Sequence, residues 1–236
     1  MHIYKFSIVI PVYNEEENIK NLVSEINQYL KEYKEYEIII VNDGSIDNSL
    51  SEINNIMQIW SNIKVINIKI NKGQSHALKE GINKSKYNTI VTIDGDGQNN
   101  PSDILKLLKI YSDNEFICLV GGIRFNRKDS LIKRISSILA NKIRQFILKD
   151  NCKDTGCSLK VFDKNIFLSL PFFTGIHRFL PALFLGYGSK TTFVNVDHRP
   201  RLHGSSKYGT IGRLIGGIKD IIKVAKIIKK FKKDRA

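Results

Sequence analysis

Cysteine is scarce here, with only Cys118, Cys152 and Cys157 in 236 residues. An odd count without a spaced framework excludes a disulfide-stapled scaffold and fits a reducing compartment. Cys118 lies in an apolar run and is expected in the core. Cys152 and Cys157 lack the second pair that a structural zinc site needs. No run of about 18–20 uncharged apolar residues occurs, so no membrane-spanning helix is expected. Met1–Lys5 does not begin the basic-then-apolar pattern of a signal peptide, and the expected location is cytoplasmic. Internal repeats and low-complexity linkers are also missing, which favours one domain.

Acidic residues are in short supply, but only in one half. Residues 1–121 carry 12 Lys and Arg against 16 Asp and Glu, and residues 122–236 carry 25 against 7. The net charge of +14 therefore arises in the second half, which is expected to face an anion: nucleic acid, a phosphorylated substrate or an anionic lipid surface.

What is present in the first half is alternation. Lys5–Ile10, Glu37–Val41, Ile63–Ile68, Asn88–Ile93 and Phe116–Val120 are short Ile- and Val-rich runs suited to buried parallel strands. Between them, Glu15–Lys31, Asp47–Trp60, Gln74–Lys84 and Pro101–Tyr111 are long enough for crossover helices, with Asn14 and Asp47 as caps and Pro101 in a first turn. This pattern predicts an α/β fold with an open, doubly wound, mostly parallel sheet and helices on both faces. Further on, 130–149 and 211–231 read as helices, and 158–162 and 191–196 as strands. The last helix places Ile211, Leu214, Ile215, Ile218, Ile221, Ile222, Ala225 and Ile228 on one stripe, with most lysines off it.

Ligands of open α/β sheets bind beyond the carboxyl ends of the strands. Three strands end there in polar clusters: Pro11-Val12-Tyr13-Asn14-Glu15, Asn42-Asp43-Gly44-Ser45 and Asp94-Gly95-Asp96-Gly97-Gln98. Asp94 and Asp96, with the Gln98 amide oxygen, are hard oxygen ligands of the kind Mg²⁺ or Mn²⁺ takes, and such an ion suits a diphosphate leaving group. A strand-ending Asp-Gly turn is the plainer alternative.

The strings PVYNEEENI, VNDGSIDNS, NKGQSHAL and DGDGQ, in this order, resemble family 2 glycosyltransferases of the GT-A, Rossmann-like fold. The strings GGIRFNRKD, DTGCSLKVF, HRFLPALF and HRPRLHGSSKYG resemble its polyprenyl-phosphate branch, which includes the dolichol-phosphate mannose synthases. The resemblance implies a catalytic domain over residues 1–210, with a nucleotide-sugar half (1–121) and an acceptor half (122–210), followed by a basic amphipathic helix over 211–236. It implies that Pro11, Tyr13, Glu15, Asp43, Asn71 and Gly73 bind the nucleotide-sugar, that Asp94, Asp96 and Gln98 hold the metal, and that Asp94, Asp96, Arg124 and Arg201 are catalytic. Arg124, Arg127, Arg134, Asp154, Arg201, Ser206 and Lys207 would meet the phosphates of donor and acceptor, with a loop cap an equal alternative for Asp154. His177 and His198, each beside an arginine, are candidates for phosphate contact or for structural roles.

The implied reaction is an inverting transfer of a sugar from a UDP- or GDP-sugar to a polyprenyl phosphate, for cell-envelope glycan or lipopolysaccharide modification. A soluble or polysaccharide acceptor is the alternative. A nucleic-acid-binding protein fits less well, because no base-stacking aromatics are interleaved with the cations. The basic helix 211–231 and the segment 130–149 suit an anionic membrane surface, on the cytoplasmic face. The sequence does not decide between a monomer and a homo-oligomer, nor name the sugar.

Overall fold

Strands that are apolar on both faces need cover on both sides, and the structure supplies it. The computed structural model describes residues 5–125, 141–200 and 210–234, with the backbone alone for residues 210–216. Seven strands form one sheet: β1 (Phe6–Val12), β2 (Tyr36–Asp43), β3 (Ile63–Ile68), β4 (Thr89–Thr92), β5 (Ile117–Arg124), β6 (Lys160–Asp163) and β7 (Lys190–Val196). Their order is β3-β2-β1-β4-β6-β5-β7. The pairs β1–β2, β1–β4, β2–β3 and β5–β7 are parallel, while β6 runs antiparallel between β4 and β5.

The helices are α1 (Ile19–Tyr29), α2 (Ser49–Ile59), α3 (Gln74–Lys84), α4 (Asp103–Ser112), α5 (141–148), α6 (Lys164–Ser169), α7 (Leu180–Gly186) and α8 (Thr210–Lys233), with a short 3₁₀ turn at Ile176–Arg178. Alternate strand residues divide the core in two. Ile8 and Ile10 of β1 and Ile38 and Ile40 of β2 join α1, α2 and α4 on one face. Val9, Ile39 and Val41 join α3, α7 and α8 on the other. The doubly wound arrangement is therefore present.

Two details differ from the sequence reading. Asn14, expected as a helix cap, has a left-handed backbone (φ 53), and its Oδ1 accepts from the Ile46 amide at 2.9 Å. Asn18 occupies the N-cap position of α1 without a side-chain capping bond, its Nδ2 donating instead to Glu15 Oε2 at 2.8 Å. Cys118, expected in the core, is only half-buried, while Cys152 and Cys157 are buried free thiols.

Helix α8 docks through its apolar stripe, but only through part of it. Ile221 and Val224 are buried against the second core, with Ala225 and Ile228 packed beside them. Phe231 stacks on Tyr187 at 3.6 Å between ring centroids. Ile218 and Ile222, placed on the same stripe by periodicity, face outward at 53% and 49% exposure. Among the described residues no helix is long and apolar enough to cross a membrane.

The α3–sheet contact depends on Gly81. A β-carbon there would lie 2.4 Å from Val9 Cγ1 and 3.0 Å from Val41 Cγ2. Gly81→Ala is expected to destabilise the protein by about 1–3 kcal/mol through overpacking, read as a lower urea midpoint at unchanged slope.

Candidate active site

Three loops at the carboxyl ends of β1, β2 and β4 are laced together by side chains that hold backbone. The amide of Asn14 donates to Ser45 Oγ at 3.0 Å, and that of Glu15 to Ser49 Oγ at 2.8 Å. The amide of Asn48 donates to Glu16 at 2.7 Å. Asp43 lies within β2 rather than in the loop after it. It is buried, and its two oxygens accept the amides of Lys72 (2.9 Å) and Gly73 (2.7 Å). Asn71 Nδ2 donates to the Asp43 carbonyl at 3.1 Å. In this state the Asp43 carboxylate therefore braces the loop that leads into α3. The β4 loop lies against the β1 loop, since a β-carbon on Gly95 would sit 3.2 Å from the Pro11 carbonyl oxygen. Pro11, Tyr13, Glu15, Asp43, Asn71 and Gly73 thus belong to one rim, next to Asp94, Asp96 and Gln98.

Asp94 is the electrostatic centre of that rim. Gln74 Nε2 donates to its Oδ1 at 2.6 Å, and its own amide donates to Ser158 Oγ at 3.1 Å. Burial first, and then the charge of Asp96, push its pKa up to about 6, against the Ser158 hydrogen bond and the charges of Lys160 and Arg124. Asp96 Oδ1 accepts the Gln98 amide at 3.1 Å, and Gln98 Nε2 donates to the Arg199 carbonyl at 3.3 Å. Among the described residues no cluster of three or more Asp, Glu, His or Cys side chains is poised for a metal. Two like-charged carboxylates one residue apart nonetheless fit a hard dication that takes its remaining oxygens from substrate and water.

Arg124, at the end of β5, is clamped by Asp154. Its Nε and Nη2 donate to the two Asp154 oxygens at 2.7 and 2.8 Å, and its amide donates to Oδ2 at 3.2 Å. Burial alone would lower the arginine pKa, but Asp154 outweighs it and the net shift is upward. The Asp154 carboxylate therefore fixes the orientation of this cation. Arg127, Arg134, Arg201, Ser206 and Lys207 lie outside the described residues.

Behind Asp94 a cavity of about 760 Å³ opens, lined by Gln74, Ser75, Ser158, Lys160, His177 and Arg178 among others, and reached by Gly217 and Asp220 of α8. Lys160 is a buried β6 lysine whose Nζ donates to the Cys157 carbonyl. Sequence reading passed over Lys160, Ser75 and Gln74. Their only signal was position: a lysine inside the apolar string LKVF, and polar residues opening a helix after a strand.

Comparison with known proteins gives the family and the fold. The model for glycosyl transferase family 2 matches residues 7–170. The chain belongs to that family. It is 34% identical over 225 residues to a dodecaprenyl-phosphate galacturonate synthase from Rhizobium johnstonii, covering 93% of this chain and 66% of the relative. It is 35% identical over 222 residues to an undecaprenyl-phosphate 4-deoxy-4-formamido-L-arabinose transferase from Yersinia pestis, covering 93% and 67%. The chain thus spans about two thirds of the length of these curated relatives. Among solved structures, glucosyl-3-phosphoglycerate synthase from Mycobacterium tuberculosis, with Mn²⁺, UDP and phosphoglyceric acid, superposes with a TM-score of 0.71 at 17% identity, over 93% of this chain and 76% of that one. This likeness establishes the glycosyltransferase (GT-A) fold. The family match ends at residue 170, so His177, Arg178 and α8 build the far wall of the cavity from outside it.

Asp154→Ala would strand the Arg124 guanidinium, whose side chain is only 16% exposed. The expected loss is about 3–5 kcal/mol of unfolding free energy, measured by urea denaturation. A loss under about 1 kcal/mol would show that the pair is not the clamp described.

Proposed function

We propose that this family 2 glycosyltransferase moves a sugar from a nucleotide-sugar to a polyprenyl phosphate, with inversion. The observation that carries the donor half is the Asp94–Asp96 pair at the open end of β4, where Asp94 lines a cavity of about 760 Å³. The acceptor half is supported by the two curated relatives, whose names specify dodecaprenyl and undecaprenyl phosphate, and by the basic second half of the sequence. Asp94 and Asp96, with Gln98 adjacent, would hold Mg²⁺ or Mn²⁺; the solved relative with Mn²⁺ and UDP supports a metal of this kind. When bound, such an ion supplies charge neutralisation for the departing diphosphate.

The chain's own residues have separate tasks. The rim from Pro11 to Glu15, with Asp43, Asn71 and Gly73, binds and orients the nucleotide. Arg124, fixed by Asp154, offers a permanent cation toward the phosphates, with Arg127, Arg134, Arg201, Ser206 and Lys207 as further acceptor contacts implied by the family resemblance. A phosphate monoester is already largely dianionic near neutral pH, so its oxygen needs no strong base. That oxygen forms the new bond to the anomeric carbon as the bond from that carbon to the nucleoside diphosphate oxygen breaks, and the electron pair leaves with the diphosphate.

The acceptor is a membrane lipid, and the surface offers a means of approach. Ile143, Phe146 and Ile147 of α5 are exposed at 48%, 84% and 44%, and Ile218 and Ile222 of α8 stand among exposed lysines. We read these as a peripheral contact with an anionic, cytoplasmic membrane face, where each basic residue contributes about 1 kcal/mol.

Asp96→Asn is expected to abolish transfer, scored by product mass with polyprenyl phosphate, Mn²⁺ or Mg²⁺ and a panel of UDP- and GDP-sugars, while the circular dichroism spectrum stays unchanged. Full activity in that variant would remove the metal role. Co-sedimentation with anionic liposomes is expected, weakening as salt rises; no binding at any ionic strength would overturn the membrane contact.

A further inference from the structure

The cavity behind Asp94 is lined by the His177 imidazole, which a neighbouring hydroxyl engages at Nδ1. Gly175 has a left-handed backbone (φ 100), which turns its amide onto Ser75 Oγ at 2.8 Å. That hydrogen bond fills one acceptor position of the hydroxyl. Ser75 Oγ also lies 2.7 Å from His177 Nδ1. The hydroxyl keeps a second acceptor position, so the pair has two arrangements; where Ser75 Oγ–H donates to Nδ1, the ring proton resides on Nε2. Burial, followed by the charges of Lys160 and Arg178, drives the His177 pKa down to about 3, so the ring is neutral at any physiological pH. Among the described residues the hydrogen bond of the ring is the one at Nδ1, and the half-buried ring lines the cavity. With the proton on Nε2, the N–H is presented to whatever occupies that space. In the Nε2–H tautomer the neutral imidazole cannot serve as the base of the transfer. It can donate one well-aimed hydrogen bond.

We propose that His177 is a specificity-determining residue that reads an oxygen acceptor on the transferred sugar through Nε2–H, and that Ser75 is the positioning residue that sets its tautomer. The inference rests on the donor reading proposed above: if the nucleotide and the cation sit on the rim at Asp94, the cavity behind is where the sugar extends. The group recognised is a hydroxyl, ring, carboxylate or carbonyl oxygen. Lys160, buried in the same wall, has its Nζ donating to the Cys157 carbonyl. These residues come from three separated pieces of chain: the start of α3, β6, and the 3₁₀ turn beyond the family match.

Calorimetry on the full chain with Mn²⁺ tests this, using UDP and GDP alone and then UDP-glucose, UDP-galacturonate and GDP-mannose. Expected for His177→Ala is an unchanged affinity for the bare nucleotide and an approximately tenfold loss for the nucleotide-sugar that the wild type prefers, the size of one hydrogen bond. His177→Gln, whose amide replaces Nε2–H, should recover most of that loss. Ser75→Ala should weaken sugar binding and shift the His177 ring ¹⁵N signals from the single Nε2–H tautomer toward a mixture. Equal weakening of nucleotide and nucleotide-sugar in His177→Ala, or no change in either, would overturn the proposal. Wild-type protein that binds no nucleotide at all would instead sink the donor reading, and this inference with it. A His177→Ala variant that does not fold leaves His177→Gln and Ser75→Ala to decide: unaltered sugar preference and an unaltered tautomer in Ser75→Ala would refute it.

Discussion

Keeping a carboxylate ionised at the open end of β4 is the constraint around which the site is organised. Asp94 pays twice, through partial removal from water and through Asp96 one residue away. No single neighbour offsets this. Gln74 donates from the start of α3, Ser158 accepts the Asp94 amide, and Lys160 and Arg124 bring positive charge from β6 and β5. Each comes from a different element, so the sheet order is what assembles them. In particular, β6 sits antiparallel between β4 and β5. A purely parallel continuation would turn its polar end away. Inserted as it is, β6 carries Lys160 opposite Thr92, two residues before Asp94.

The same economy governs Arg124. A guanidinium beside the phosphate site proposed above has to be held in one orientation. Asp154 does this with a bidentate, two-oxygen grip and a further hold on the Arg124 amide. Asp154 Oδ1 also accepts the Gly156 amide at 3.1 Å, which ties the clamp to the loop leading into β6. The cation and the Asp94 neighbourhood are therefore one mechanical unit, since the residues that fix the arginine lie on the segment that supplies Ser158 and Lys160.

Much of this was legible in the sequence, for definite reasons. The strands of the first half are apolar on both faces, so their Ile and Val runs stand out, and β3 and α3 fall where the pattern places them. Strand-end polar clusters mark the rim because polar residues at the end of a buried run have few packing explanations. What was not legible depends on contacts between distant segments. Nothing local in Asp154 distinguishes a loop cap from a clamp; only the position of Arg124, thirty residues earlier, does so. Lys160 reads as one more lysine in a basic half until β6 is slotted into the sheet. Helix α7 and the 3₁₀ turn before it are too short for periodicity to reveal, and Asn14 has a cap's side chain but a backbone that no helix can use. The stripe on α8 was read correctly as apolar, but periodicity cannot say which part of a wide stripe meets the core.

That last point has a physical consequence. The rotation of α8 is fixed from inside, by Val224 and Ile221 in the core, by Phe231 on Tyr187, by the Asp220–Arg178 pair at 2.8 Å and by Lys223 over the Phe173 ring. With those contacts made, Ile218 and Ile222 are obliged to face out beside Lys219 and Lys226. A helix free to roll would hide them, because two exposed isoleucines one turn apart are unfavourable in water. Their exposure is thus imposed by the residues that close the cavity wall. The wall and the outward apolar–basic face are two sides of one rigid helix, and any partner that engages the outer face acts on an element already seated at the inner one.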